Sequence, residues 1–393
     1  MTEEQLIGVP TLMRMAFDGE DMSAIGVDLF RRINADKHDA NALLDAASYL
    51  ILTGKLQEGL AVQGIAIQTR QVYEYPRDMR HASIKLLLVL GPGDLMANSP
   101  LEFLIEGQRV ALDLLYVTPE LGFPNDIPEH DVLMVAVAES DANQALLTYL
   151  TEALKAWPKP VLNSPQKIAE LSRDAVFAKL SNLPGVMIPS TVRVERSDLA
   201  RDGVAFYLSG ESYPIIIRPI DSHAGEGLEK IEDQQALHAY LAQSNVARFF
   251  ISKFVDYASR DGQYRKYRLM LIDGRAYVSH MAISARWMVH YLNSDMLERA
   301  DYRLEEKNCM ENFDSTFNIQ HHSVLVEMYK RFGLDYVGID CAETQNGQLL
   351  IFEVDSNMVV HNMDSAEIFP YKKVQMPKIF RAFSQLLESK KRA

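Results

Sequence analysis

Two periodicities follow one another along the chain, and their order sets the expected architecture. Leu43, Leu44, Ala47, Leu50 and Ile51 recur at helical spacing and form one apolar stripe. Gly54 follows as a stop signal, a second helix is expected from Leu56, and Pro76 closes the segment. Residues 1–80 are therefore expected to be all-helical. From Ser83 the pattern changes: "IKLLLVLGPG" is a short apolar run ending in glycines, as a buried strand does, and "ALDLLYVTP" and "HDVLMVAVAES" repeat it. Between them, Ser99, Pro100 and Glu102 predict a helix with a capping box, and "NQALLTYLTEALKAW" predicts another after Asp141. Strands alternating with helices imply a parallel, doubly wound sheet over 81–160. Ligands in such folds lie beyond the carboxyl ends of the strands, here the loops Gly91–Asn98 and Glu139–Asn143. "GPGD" lacks the spacing of a dinucleotide fingerprint, so a plain turn and a substrate contact both stay open.

A third stretch, 161–388, carries a strand, a helix capped by Ser164-Pro165 and an exit strand, all within "PVLNSPQKIAELSRDAVFAKLSNLPGVMIPSTVRV". Strands dominate from Tyr213 onward, and Asp273-Gly274 and Asn346-Gly347 are strong hairpin turns. The expected class is thus α/β, preceded by an all-α segment. His321 and His322 read as helix-start residues rather than ligands.

Composition narrows the functional classes. The 393 residues suffice for two or three domains. A net charge of −13, with 40 Lys+Arg against 53 Asp+Glu, argues against an extended nucleic-acid surface. Two cysteines, Cys309 and Cys341, make no disulfide framework and fit a reducing compartment. The first residues lack a secretory pattern, and no apolar run reaches membrane-spanning length. A cytoplasmic protein without nucleic-acid or membrane partners is expected.

The chemistry concentrates at a few strand ends. In "IIIRPIDSHAGEGL" a charged Arg218 ends an isoleucine strand, and burying it calls for an anionic partner. Ser222, Gly225 and Gly227 follow in a loop whose small residues suit backbone contact with phosphate oxygens, or simply a turn. In "LLIFEVD" the alternation of a strand puts Glu353 and Asp355 on one face. The Asn346-Gly347 turn pairs this strand with "YVGID", and Asp340 and Glu353 lie equally far from its middle, so direct opposition is expected. Three converging carboxylates repel unless a cation joins them, and oxygen-only donors suit Mg²⁺ or Mn²⁺ rather than zinc. A solvated acidic turn is the alternative.

Taken in order, Lys179, Arg218, the glycine loop, "FFISKFV", Arg268, Asp340 and "EVD" resemble an ATP-grasp ligase, closest in pattern to glutathione synthetase and related carboxylate–amine ligases. The resemblance covers about 82–385, with a lid over 186–258. It implies ATP and Mg²⁺ as cofactors. Lys179 and Arg218 would hold phosphates, and Lys253, Phe254 and Val255 would form the adenine hinge. The loop of Ser222, Gly225 and Gly227 would close as a lid. Asp340, Glu353 and Asp355 would hold Mg²⁺ ions, with Mn²⁺ an acceptable substitute. Arg268 and Arg286 would stabilise charge in the transition state. Four departures stand out: Arg218 for a lysine, Ser252 for an acid or amide, Lys266 where an acid is common, and Asp355 where an asparagine is usual. The implied activity is ATP-dependent amide or peptide bond formation through an acyl phosphate, on an amino acid or small peptide. A small-molecule kinase and a non-catalytic nucleotide-binding protein are the competing readings.

"SHMAISARWMVHYLNSDM" brings His280, Arg286, Trp287, His290 and Tyr291 together. Arg286 suits a substrate carboxylate, which arginine matches with two hydrogen bonds. His290, Asn357 and His361 are further candidates for substrate contact. The helical front resembles one and a half tetratricopeptide-type units, too few for a free-standing array. It reads as a cap, or as a contact for a second copy or a protein partner.

Overall fold

The computed structural model describes residues 4–75, 82–210, 213–222, 225–291 and 294–392, so Pro76 and two residues of the Ser222–Gly227 loop lie outside the described residues. The class is α/β, with helices at the front of the chain. Two compact units form: one from residues 1–169, 334–337 and 356–393, the other from 170–333 and 338–355.

The first unit begins with α1 (Val9–Phe17), α2 (Ser23–Ala35), α3 (Ala40–Leu52) and α4 (Leu56–Thr69). The expected stripe holds: Leu43, Leu44, Ala47 and Leu50 are buried on α3, and Gly54 turns the chain at φ 83°. Asp39 caps α3 by accepting from the Ala42 N–H at 2.9 Å. Behind these helices lies a five-stranded sheet in the order β1-β3-β2-β4-β5. Its strands are β1 (Val72–Glu74), β2 (Ile84–Leu90), β3 (Val110–Tyr116), β4 (Val132–Val135) and β5 (Val161–Leu162). All pairings except β1–β3 are parallel. Val132 to Val135 are buried without alternation, as expected of a strand covered on both faces. The helix predicted after Asp141 is α5 (Gln144–Ala153). The C-terminal helix Lys372–Lys391 buries Ile379, Phe383 and Leu387 in this unit.

Several helix expectations change. The front is not all-helical, because Val72–Glu74 forms β1 on the edge of the sheet beside β3. Ser99 caps nothing: its hydroxyl donates to the Ser356 carbonyl, and Leu101–Ile105 is a single buried 3₁₀ turn. The capping signal is overridden because this serine is itself buried and needed elsewhere. The single helix expected from Ser164 is two short ones, α6 (Pro165–Ile168) and α7 (Arg173–Leu180), and Ser164 makes no side-chain cap.

The second unit runs through α7 and carries two sheets. The first has the order β7-β10-β8-β9, from β7 (Thr191–Glu195), β8 (Ile215–Pro219), β9 (Glu229–Ile231) and β10 (Arg248–Lys253). The helices α8 (Arg196–Asp202), α9 (Val204–Tyr207) and α10 (Gln234–Gln243) belong to the same region of the chain. Val194, Ile215, Ile217, Leu237, Phe249 and Ile251 make its core. The second sheet, in the order β12-β11-β13-β14-β6, uses β6 (Val186–Met187), β11 (Tyr264–Ile272), β12 (Arg275–Ser284), β13 (Tyr336–Glu343) and β14 (Leu349–Asp355). α11 (Ala300–Asn312) and α12 (Phe317–Phe332) separate the hairpins. His321 is not a helix-start residue: α12 begins four residues earlier, and the buried His321 pairs with Glu343 at 2.8 Å. Among the described residues no helix is long and apolar enough to cross a membrane.

Candidate functional site

The acidic hairpin is built differently from the simple turn that the sequence implies, and it still opposes the same residues. Thr344 N–H donates to Gln348 and Gly347 N–H to Thr344, leaving Gln345–Gly347 as a three-residue loop with Gly347 at φ 75°. Continued without interruption, that register would set Phe352 opposite Asp340 and turn Glu353 and Asp355 to the other side of the sheet. A bulge prevents this. Cys341 pairs with Ile351, Asp340 with Glu353 and Gly338 with Asp355, so Phe352 is the extra residue. Cross-strand partners share a face, and Asp340, Glu353 and Asp355 therefore look the same way.

Cations surround them. Asp340 is fully buried and takes two hydrogen bonds from Arg268, Nε to Oδ1 at 2.8 Å and Nη2 to Oδ2 at 3.0 Å. Lys266, two residues along the same strand, places Nζ 2.7 Å from Oδ2. Burial alone would raise the Asp340 carboxyl, but Arg268 and Lys266 outweigh it and hold it well below the usual range. Glu353 pairs with Arg173, which also donates to the Phe352 carbonyl at 2.9 Å. Burial raises the Glu353 carboxyl too, yet Arg173 and Arg218 bring it below its ordinary value.

Arg218 ends β8 as expected and is buried, bonding the carbonyl and hydroxyl of Ser222. Burial and the charge of Arg173 push its guanidinium down to about 9, against the pull of Glu353 and Asp355. It stays cationic at neutral pH, poised for an anion. Gly227 has φ 63°, and a Cβ there would lie 2.8 Å from the Pro219 ring, while Tyr240 donates to its carbonyl at 2.6 Å. Gly225, at φ 81°, would meet only Met288 Sδ at 3.8 Å.

The other expected residues are distributed as follows. Phe254 N–H bonds the Pro214 carbonyl at 3.1 Å, and its ring meets Trp287 edge-on at 5.6 Å, with Lys230 Nζ 4.2 Å from the ring centre. Val255 packs against the cluster of Tyr257, Ala282, Val289, Ala342 and Leu350, and Lys253 is exposed at the end of β10. Arg286 lines an open cleft of about 840 Å³ together with Lys230, Trp287, Met288 and Tyr264. His290 is half-buried within electrostatic range of the acidic face; burial, then Lys266 and Arg268, lower its pKa and favour neutral imidazole. Lys179 sits in the last turn of α7, paired with Glu170 at 2.6 Å.

Asn357 and His361 belong to the first unit. The Asn357 amide donates to the Met96 carbonyl at 2.6 Å, and the His361 ring lies between Phe17 and Phe103, with centroids 5.9 and 6.2 Å away.

Two residues escaped the reading of the sequence. Arg173 reaches the acidic face from the first turn of α7, six residues before Lys179. Its signal was available: an arginine at a helix N-terminus opposes the helix dipole, so it calls for an acidic partner elsewhere. Lys266 stood out only as a departure, and its partner Asp340 comes from a strand far along the chain.

The carboxylates suit a hard divalent cation by type and by face. Their oxygens are nevertheless engaged by arginine and lysine: among the described residues, no group of three or more His, Cys, Asp or Glu stands ready to hold a metal ion. Four cations stand against three carboxylates here, an arrangement suited to a polyanion.

No known protein-family pattern matches the chain, and no curated protein matches it in sequence. Among solved structures it is similar to the VanG D-Ala:D-Ser ligase of Enterococcus faecalis, at 13% identity, TM-score 0.47, over 77% of this chain and 99% of that one. The D-alanine–D-alanine ligase of Bacillus anthracis complexed with ATP gives 11% identity and TM-score 0.48, over 79% and 99%. A RimK domain ATP-grasp protein of Sphaerobacter thermophilus gives 14% and 0.43, over 76% and 98%.

Proposed function

We propose that the chain is an ATP-grasp enzyme that joins a carboxylate to an amine, with release of ADP and phosphate, on an amino acid or small peptide. One observation carries this reading: Asp340, Glu353 and Asp355 share a face of the second unit with Arg268, Lys266, Arg173 and Arg218 around them. Arg218, buried near the end of β8 beside the glycine loop, is a cation suited to an anionic ligand such as a nucleotide triphosphate.

Arg218 and Arg173 would hold phosphate oxygens; Lys179, expected for the same part, is paired with Glu170. A side chain at Gly227 would run into the Pro219 ring, and the small residues of this loop would suit backbone contact with phosphates. Phe254 and Val255, with Lys253 before them, form the edge against which a base would lie. Glu353 and Asp355, with Asp340 behind them, would hold Mg²⁺ or Mn²⁺. That ion supplies charge neutralisation for transfer of the terminal phosphoryl group to the substrate carboxylate.

The acyl phosphate formed in this way is attacked by the amine, and phosphate leaves. Arg268 would face the transferred group, and Arg286 in its open cleft would bind a substrate carboxylate. The neutral imidazole of His290 suits contact with an incoming amine. Asn357 and His361 are assigned to packing within the first unit.

ADP release in Mg²⁺, followed over a library of carboxylate and amine pairs, tests the proposal. Release only with both partners and an amide product supports it. A phosphorylated hydroxyl product would make the chain a kinase instead. Bound ATP with no turnover across the library would leave a nucleotide-binding protein.

A further inference from the structure

We infer that Tyr240 is a positioning residue for nucleotide binding: its hydroxyl fixes the rear stem of the glycine loop and so sets where that loop meets the phosphates. This rests on the nucleotide reading above and concerns the same site.

The ladder between β8 and β9 creates the need for it. Ile215 pairs with Ile231, Ile216 with Lys230 and Ile217 with Glu229. Two residues further, the same register sets Gly227 against Pro219, and a Cβ on Gly227 would lie 2.8 Å from the Pro219 ring. Ile220 gives its N–H to the Arg248 carbonyl at 3.2 Å, on the β10 side, so alternation turns the backbone of Pro219 towards β9. Proline has no N–H, and the ladder stops there with no donor from β8 for the Gly227 carbonyl. The Tyr240 hydroxyl takes that place, donating to the carbonyl at 2.6 Å from α10.

Tyr240 is rigidly placed for this. It is buried in one core with Ile217, Leu237 and Phe249, and its ring meets Phe249 edge-on at 5.7 Å. Burial, and then the charge of Glu229, push its phenol up to about 12, so it keeps the proton that it donates. The front stem of the loop has an anchor of its own: the Ser222 hydroxyl donates to the Pro219 carbonyl at 2.9 Å, and Arg218 bonds Ser222. At the rear, the Leu228 N–H closes on the Gly225 carbonyl at 3.1 Å, so what holds Gly227 also places Gly225. Arg218 carries the charge that an anion needs, whereas Tyr240 acts only through the backbone that it holds.

Tyr240→Phe removes the hydroxyl and keeps the ring in its core. The test pairs hydrogen–deuterium exchange of the free chain with a titration by a non-hydrolysable ATP analogue in Mg²⁺. Exchange over Gly225–Ile231 is expected to be about fivefold faster in Tyr240→Phe, and the analogue to bind about fivefold more weakly, as fits the loss of one hydrogen bond. Tyr213→Phe, which removes a bond to Gln234 on the same helix, is expected to change neither. Unchanged exchange in Tyr240→Phe would overturn the inference. Unchanged affinity for an analogue that the wild-type chain binds would overturn it too, leaving the nucleotide reading intact, as would an equal loss in Tyr213→Phe. A wild-type chain that does not bind the analogue would overturn both.

Discussion

Asp340 shows how much one side chain can demand of its surroundings. Buried and ionised, it is held by Arg268 and Lys266, and removing one of them leaves a poorly compensated charge. Arg268→Leu should therefore destabilise the chain by about 3 kcal/mol in chemical denaturation, in the range for breaking a buried pair. Glu353→Gln makes the contrast: its side chain is partly exposed, so stability should stay within about 1 kcal/mol while Mn²⁺ affinity falls at least about tenfold. Asp45, in the first unit, gives a pH signature of its own. It accepts from the N–H groups of Ile7 and Gly8, at 2.7 and 3.0 Å, and burial pushes its carboxyl up to about 6. A raised acid is favoured protonated in the folded chain, so its contribution is present below pH 4 and is lost as pH rises through 6. The loss is about 3 kcal/mol for a shift of about two units. Unfolding measured across pH 4 to 7 should show this slope in the wild-type chain and not in Asp45→Ala.

Elements carried most of what the sequence could say, and their junctions carried what it could not. The apolar runs of β2, β3 and β4 announced a parallel sheet because burial on both faces leaves a continuous pattern. The pairing of Asp340 with Glu353 was legible from its distance to Asn346-Gly347, yet it comes about through a three-residue loop corrected by the Phe352 bulge. Two offsets that cancel leave no trace in spacing. The capping signal at Ser99 failed for a related reason: its partner, the Ser356 carbonyl, lies 257 residues away. Arg173 and Lys266 were missed because their value depends on partners brought in by distant strands. The glycine loop offers a test at this scale. Gly227→Ala, crowded against Pro219 and strained at φ 63°, should weaken binding of the ATP analogue about tenfold or more. Gly225→Ala is strained as well, at φ 81°, but meets only Met288 at van der Waals distance, so its effect should be smaller in the same titration.

At the scale of the whole molecule, the chain spends one compact unit on a parallel sheet with its helical front and the other on the charged face. The three carboxylates and the four cations around them all lie in the second unit, drawn from α7, β8, β11, β13 and β14. That division explains why composition said little about function: a net charge of −13 describes the surface, while the site is a local excess of arginine and lysine over buried acids. These residues are proposed to serve phosphoryl transfer to a carboxylate. A substrate carboxylate labelled with ¹⁸O, taken from the pair that releases ADP, tests this most directly. One labelled oxygen is expected in the phosphate released with each amide formed. Unlabelled phosphate alongside the amide would contradict it.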